Sequence, residues 1–187
     1  MKIKYSFLKY ILLISLFWDC VGSKKNKLVE PDEYLVAVEF IKTSQEFKNQ
    51  IVANNLPDFR DSICISPISI SIPKVFFIEE IINFKYKNLN DSLKEIKEDS
   101  ILINEYNNFK NESGMLEQLS SISNNNCKYM VFFGNLSENM LIGKILKSDR
   151  FNNNYQELNE ENNTNIFFIL FYDNKKIIKS YLNITIE

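Results

Sequence analysis

The sequence predicts an α+β domain in which N-terminal helices pack on a C-terminal antiparallel sheet of about four to six strands. Apolar residues recur at helical spacing early in the chain and alternate with polar residues, at the period of a strand, in its last third. Short polar turns divide the last strands into two hairpins. Helices that come before an antiparallel sheet typically cover one face of it.

The first helix is predicted to run from Pro31 to Asn54. Pro31 suits a first helical position, and the acidic residues that follow it favour a helix N-terminus. A strand over 34–40 is the alternative, because Val36 and Val38 are β-branched. The apolar residues that share one helical face are Ala37, Phe40, Ile41, Phe47 and Ile51.

The clearest strand covers 62–72, where isoleucines alternate with serines. The isoleucines occupy odd positions before Pro67 and even positions after it, so the strand needs a bulge or bend at Pro67. Because Pro67 has no N–H to donate to a neighbouring strand, an edge position is favoured.

The middle of the chain is predicted to be mostly helical. Residues 75–89 fit either a helix or a strand. Ser92 and Glu95 have the spacing of a capping box, which predicts a helix that starts near Asp91. A further short helical piece is predicted over 115–122.

Two hairpins are predicted at the end of the chain. The first joins 129–133 to 140–146, and the second joins 166–172 to 177–186. The segment 148–165 between them is predicted to be a polar loop. Alternation in the last strand predicts that Ile178, Leu182, Ile184 and Ile186 are buried on one sheet face and that the other face is exposed to solvent.

This layout of early helices and a late antiparallel meander is similar to that of small exported cystatin-like and NTF2-like domains. The similarity lies in the order of the elements, and no sequence motif accompanies it. It implies a fold class and leaves function open, since one fold hosts many functions.

The N-terminal segment predicts export. Three lysines within the first nine residues precede an apolar run over 10–20, and polar sequence begins at Ser23. We therefore interpret 1–22 as an export signal, 23–30 as a polar tether and 31–187 as a single α+β domain.

Three fates of this signal are open. The segment resembles a lipoprotein signal in its single Cys20, which would be acylated as the first mature residue of a membrane-anchored protein, although Asp19 departs from the small residues expected there. Cleavage before Ser23 would instead give a secreted or periplasmic protein. An uncut segment would act as an anchor, but its apolar run is shorter than the ~20 residues that a spanning helix needs.

Composition excludes several classes of site. The 187 residues include no histidine and carry a net charge of −2. A Ser-His-Asp triad, a Cys-His dyad and histidine-ligated zinc or iron sites are therefore impossible. No basic stripe follows a phosphate backbone, so nucleic acid is not expected as a partner. We predict no catalytic residue, no cofactor and no metal ligand.

Two cysteines remain besides Cys20. Cys64 and Cys127 each lie on or just before a predicted strand, so a disulfide between them is one hypothesis for an oxidising compartment. Two buried free thiols are the other. Catalysis by either thiol is disfavoured, because no histidine is present to activate it.

Our preferred interpretation is a non-enzymatic bacterial cell-envelope protein, either a lipoprotein or a secreted binding module. Its unidentified protein or envelope partner would bind one sheet face or the 148–165 loop. Adjacent aromatic pairs such as Phe132-Phe133 and Phe167-Phe168 suggest this, because their side chains point to opposite faces of a strand and both faces then need cover.

Two alternatives stay open. One is an inhibitor or immunity-type protein, which would share this composition. The other is a histidine-free hydrolase that uses two facing carboxylates. The carboxylates available for such a pair are Glu79, Glu80, Glu95, Glu98, Asp99, Glu138, Glu157, Glu160 and Glu161.

Overall fold

A six-stranded sheet with helices on both faces makes up the computed structural model of the protein. The export signal predicted over 1–22, Cys20 within it, the tether over 23–30 and Pro31 lie outside the described residues. The structure describes residues 32–110, 113–122, 127–148, 152 and 154–186.

The strands are β1 (Ile63–Ile70), β2 (Ser113–Met115), β3 (Tyr129–Phe133), β4 (Met140–Lys147), β5 (Thr164–Asp173) and β6 (Lys176–Ile186). Their order in the sheet is β2-β1-β3-β4-β5-β6. The α+β class is confirmed, and β3 to β6 form the predicted antiparallel meander.

The sheet is mixed, however, because β1 runs parallel to β3. The long connection between β1 and β3 brings the chain back to the end of the sheet at which β1 began. A parallel pair needs such a crossover, and the antiparallel sheet expected from the sequence did not include it.

Five helices are described: α1 (Glu33–Thr43), α2 (Gln45–Ala53), α3 (Ile78–Lys85), α4 (Asp91–Asn108) and α5 (Tyr155–Glu161). The strand alternatives for 34–40 and 75–89 are wrong, because these segments contribute to α1 and α3. The helix predicted over 115–122 is also wrong, because that segment holds the end of β2 and a 3₁₀ turn at Glu117–Leu119.

Side-chain caps set where several helices begin. Ser44 has an extended backbone and divides the predicted first helix in two, and its hydroxyl accepts a hydrogen bond from the Phe47 amide at 3.3 Å to cap α2. α4 begins at Asp91 as predicted. Its cap is Asn90, whose side chain accepts from the Leu93 amide at 3.0 Å.

β1 contains the predicted irregularity at Pro67. Its register with β3 shifts between Ile65 and Ser69, so the residue that lacks an N–H falls within a bulge. β1 is not an edge strand, because β2 pairs with Ile68–Ile70. The Leu116 amide also donates to the Pro67 carbonyl at 2.6 Å.

We call the sheet side that packs on α1 and α2 face A, and the opposite side face B. Face A is one apolar cluster, in which Phe133 and Phe168 meet Ile41 and Phe47 from the helices.

Face B carries two apolar clusters. One surrounds Phe132 and includes Leu158 of α5, and the other surrounds Phe167 and includes Ile81 of α3. Both members of each adjacent Phe pair are buried. The solvent-exposed sheet face expected from the sequence is therefore wrong. Among the described residues, no helix combines the length and the apolar character needed to cross a membrane.

Candidate functional site

Lys144 interrupts the apolar residues that β4 presents to face B. Ile142 and Leu146, its neighbours on that face of the strand, are buried, and its cross-strand partners are Phe132 and Phe167. Lys144 itself is only 4% exposed. A cationic side chain thus lies between the two apolar clusters of face B, where polar contacts must offset its desolvation.

The ammonium group of Lys144 contacts at least three side chains, those of Asn159, Tyr155 and Phe167. It donates to Oδ1 of Asn159 and lies 3.4 Å from the hydroxyl of Tyr155. It also lies 5.0 Å from the ring centroid of Phe167 and 5.4 Å from that of Tyr155. These are cation–π distances, so ring faces and an amide oxygen are among the groups that surround the charge.

α5 supplies two of these three contacts, because Tyr155 and Asn159 are four residues apart and share a helical face. Asn154 caps its start by accepting from the Glu157 amide at 3.3 Å. At its end, the side chain of Asn162 bonds both the amide and the carbonyl of Lys147 on β4.

The sequence predicted the whole 148–165 segment as a loop, which is wrong over α5. The segment is rich in asparagines, which are common in loops, but Asn154 and Asn162 cap the two ends of α5. Leu158 is its one buried apolar residue, and a single apolar residue gives no helical period.

A pocket of about 470 Å³ opens beside Lys144, which is within the size range of small-molecule sites. α5 forms one wall, and Phe76 and Phe109 contribute to the other. The Phe76 ring stacks on Phe167 with 4.1 Å between centroids. Asn183 donates to the Phe76 carbonyl at 2.9 Å, which fixes this wall to β6.

A second pocket, of about 270 Å³, shares Ser71, Ile72 and Phe109 with the first. Its other walls are more polar and include Glu105, which accepts from the Lys74 amide at 2.9 Å. We call the two adjoining pockets the cleft. One end of the cleft contains Lys144 and most of the aromatic side chains, and the other contains Lys74, Glu105 and Lys110.

The carboxylates of the predicted hydrolase do not meet in a cavity. In the described part of the chain, each of four pockets is lined by one carboxylate, from Glu105, Asp99, Glu160 or Glu138. A hydrogen bond and ion pair with Lys85 lower the pKa of Glu138. A general acid needs a raised pKa, whereas the pKa of Glu138 is lowered.

Cys64 lies on β1 and Cys127 lies just before β3, and the structure contains a disulfide between them. Their Cα atoms are 5.3 Å apart, which is an ordinary spacing for a bridge. Neither sulfur is then available as a nucleophile. No group of three or more Cys, Asp or Glu side chains that could hold a metal ion occurs among the described residues.

Sequence reasoning missed Lys144 and the cleft. The available signal was one lysine in β4, whose other residues are almost all apolar. Comparison of the chain with protein-family models, curated proteins and solved structures finds no match. The cystatin-like or NTF2-like layout therefore stays a prediction.

Proposed function

We propose that the protein is an exported, non-enzymatic binding module of the bacterial cell envelope that holds its ligand in the cleft on face B. It is anchored through an acylated Cys20 or, alternatively, is secreted. The observation that carries this proposal is the cleft itself, two adjoining pockets whose walls combine aromatic rings, amides and the buried Lys144.

The chemistry of the cleft suits binding better than catalysis. Its charged groups are the buried Lys144 in the larger pocket, Lys74 and Lys110 in the smaller one, and a single carboxylate in each pocket. Aromatic rings, amides and hydroxyl groups line much of the remainder. Ligand sites place polar groups among apolar walls, and this cleft combines both kinds of side chain. The Cys64–Cys127 disulfide fits an oxidising compartment outside the cytoplasm.

The sequence predicted a binding surface on one sheet face or on the 148–165 loop, and the cleft is a smaller part of that region. Helices cover both sheet faces, so a bare sheet face is not available as a docking surface. The 148–165 segment takes part through α5, which forms a wall of the larger pocket.

Native mass spectrometry of the full chain isolated from its own cell envelope tests this proposal. Wild-type protein should carry a small molecule that denaturation releases. Gln156→Trp should lose that molecule, because Gln156 is an exposed residue of the pocket wall and a larger ring there would fill the entrance.

Glu161→Trp is the matched control, since Glu161 is exposed on the same helix and does not line the described pockets. It should retain the molecule. A wild-type protein without any bound small molecule, or equal binding by Gln156→Trp, would contradict the use of the cleft. Localisation of the full chain to the cytoplasm would contradict the envelope role.

A further inference from the structure

We propose that the edge of β6 is a docking surface for a second copy of the chain, which adds its own β6 to the sheet. The inference goes beyond the proposed ligand binding, because it concerns the edge of the sheet and not the cleft. β6 is the outermost strand on its side and spans 11 residues, whereas β2 at the other edge spans 3. An edge of that length can pair with a further strand.

The main-chain groups of β6 alternate in direction, since every second residue of an antiparallel strand directs its N–H and C=O away from its neighbour. Ser180 belongs to the outward set, because its amide donates to Oε1 of Glu46 at 3.2 Å and its carbonyl accepts from Gln50 at 2.9 Å. The residues with the same direction farther along the strand are Leu182, Ile184 and Ile186. In the described part of the chain, their outward N–H and C=O groups have no hydrogen-bond partner.

The side chains of α2 limit the part of the edge that a second strand can use. Glu46 and Gln50 already occupy the outward groups of Ser180. Lys179 precedes this point, and a lysine on an edge strand opposes the addition of another strand. Residues 181–186 have neither protection, because they contain no charged residue and no proline. Their aromatic and β-branched side chains also favour strand pairing.

A two-fold axis at Ile184 gives the register that uses all of the free outward groups. In this antiparallel pairing Ile184 lies opposite Ile184 of the second copy, and Leu182 lies opposite Ile186 of the second copy. About six main-chain hydrogen bonds would form between the two strands. A two-fold axis one residue earlier would bring Ser180, whose groups are occupied by α2, opposite Ile186 and would form fewer bonds.

The side chains of the same segment are complementary to themselves in this register. Ile184 lies opposite Ile166 of face A, and Leu182 packs against the face A cluster. Ile186 shares that side by alternation and is exposed. Pairing would therefore bring apolar side chains together and extend face A across both copies. Lys179 of each copy lies beyond the paired residues, so like charges do not oppose each other.

Sedimentation velocity and amide hydrogen exchange of the full chain test the proposal without any variant. A few paired residues make a small interface, so we expect a weak dimer with a dissociation constant on the order of 100 µM. Between about 5 and about 500 µM, monomers should convert to dimers, and exchange should slow at the amides of Leu182 and Ile184. A chain that stays monomeric, or that associates without slower exchange at these amides, would overturn the inference.

A charge exchange at the two-fold axis tests the register. Ile184→Lys and Ile184→Glu should each weaken the dimer at least about tenfold, because each places like charges directly opposite each other. An equimolar mixture should restore dimers. Ile178→Lys is the matched control, since Ile178 is exposed on the same strand and lies outside the paired segment. It should dimerise like wild type.

Two results from these variants would overturn the inference. One is an equal loss of dimers in Ile178→Lys. The other is a mixture that stays monomeric although circular dichroism shows that both Ile184 variants are folded. Each would show that the two copies do not meet at residues 182–186.

A different occupant of the edge would give its own result. Wild type that is monomeric alone, but shows slower exchange at Ile184 in an extract of its own cell envelope, would indicate a strand from another protein. That result would overturn the second copy as the occupant. None of these outcomes bears on the ligand in the cleft, which native mass spectrometry tests separately.

Discussion

Gly143 shows how one missing side chain shapes face A. It pairs with Phe168 on β5, and a Cβ added at Gly143 would lie 1.9 Å from the end of the Phe168 ring. That ring is fully buried and packs edge-to-face against Phe47 and Phe133. The ring therefore occupies the space over the glycine and is held there from two sides.

We predict that Gly143→Ala destabilises the domain strongly. Overpacking a core typically costs about 1–3 kcal/mol, and a confined ring leads us to expect the upper end. Gly114→Ala is the control, because Gly114 lies on exposed β2 and the nearest atom is a Ser69 hydroxyl at 3.0 Å. Denaturant unfolding measures both. Equal effects would show that Phe168 does not cover Gly143.

A second residue-level prediction concerns Asn165 on β5. It is 1% exposed, and neither Nδ2 nor Oδ1 of its side chain has a hydrogen-bond partner in the described structure. A buried polar group without a hydrogen-bond partner lowers the free energy of unfolding by about 1–3 kcal/mol, and an apolar replacement of similar shape removes that cost. Asn165→Leu should therefore raise the melting temperature. Asn183→Leu should lower it, because Asn183 donates to the Phe76 carbonyl at 2.9 Å. Calorimetry distinguishes the two signs.

At the scale of elements, the sequence predicted those strands and helices whose apolar residues recur at a regular spacing. The two C-terminal hairpins are confirmed because alternating apolar residues and short turns are local signals. The break at Ser44, β2 and α5 were not predicted, since capping, a three-residue strand and one buried Leu158 leave no period. The cleft was also not predictable, because it forms where the β1–β3 connection and α5 meet face B.

The C-terminal hairpin also required a correction. The sequence indicated that Ile178, Leu182, Ile184 and Ile186 would all be buried. Ile178 is 50% exposed and Ile186 is 81% exposed, and Leu182 and Ile184 are only partly buried. A register shift between Phe171 and Tyr172 displaces Ile178 from the alternation, and Ile186 lies at the end of β6.

Truncation after Asp173 is nevertheless expected to unfold the domain. β6 pairs along almost the whole of β5, and Ser180 bonds the side chains of Glu46 and Gln50 on α2. Removal of β6 exposes the apolar residues of β5 and leaves its edge unpaired, which favours aggregation. Size-exclusion chromatography and circular dichroism measure the outcome. A soluble, monomeric and cooperatively folded truncated chain would refute the structural role of β6.

At the scale of the whole molecule, the Cys64–Cys127 disulfide links β1 to the start of β3 across a sequence separation of 63 residues. In the chain-entropy description, a loop of this length stabilises the fold by about 4 kcal/mol. The β1–β3 connection is therefore tied at both ends, and this connection carries α3 and α4, which cover part of face B.

We predict that reductant lowers the free energy of unfolding by about 4 kcal/mol. This is a large part of the ~5–15 kcal/mol of a typical domain. The Cys64→Ala, Cys127→Ala double variant should be equally destabilised and insensitive to reductant. Cys20→Ser should keep the wild-type response. Guanidinium unfolding with and without dithiothreitol measures this, and an unchanged wild-type midpoint would show that the bridge is not stabilising.

The last prediction concerns how the chain reaches the envelope. If Cys20 is the first mature residue, intact-mass analysis of membrane-extracted protein should show loss of residues 1–19 and a gain of acyl mass. Acyl chains partition into the bilayer and hold the domain at the membrane. Cys20→Ser should abolish both the acyl mass and membrane association. A mature start at Ser23 without lipid would refute the anchor and leave export intact, whereas full-length protein in the cytoplasm would refute both.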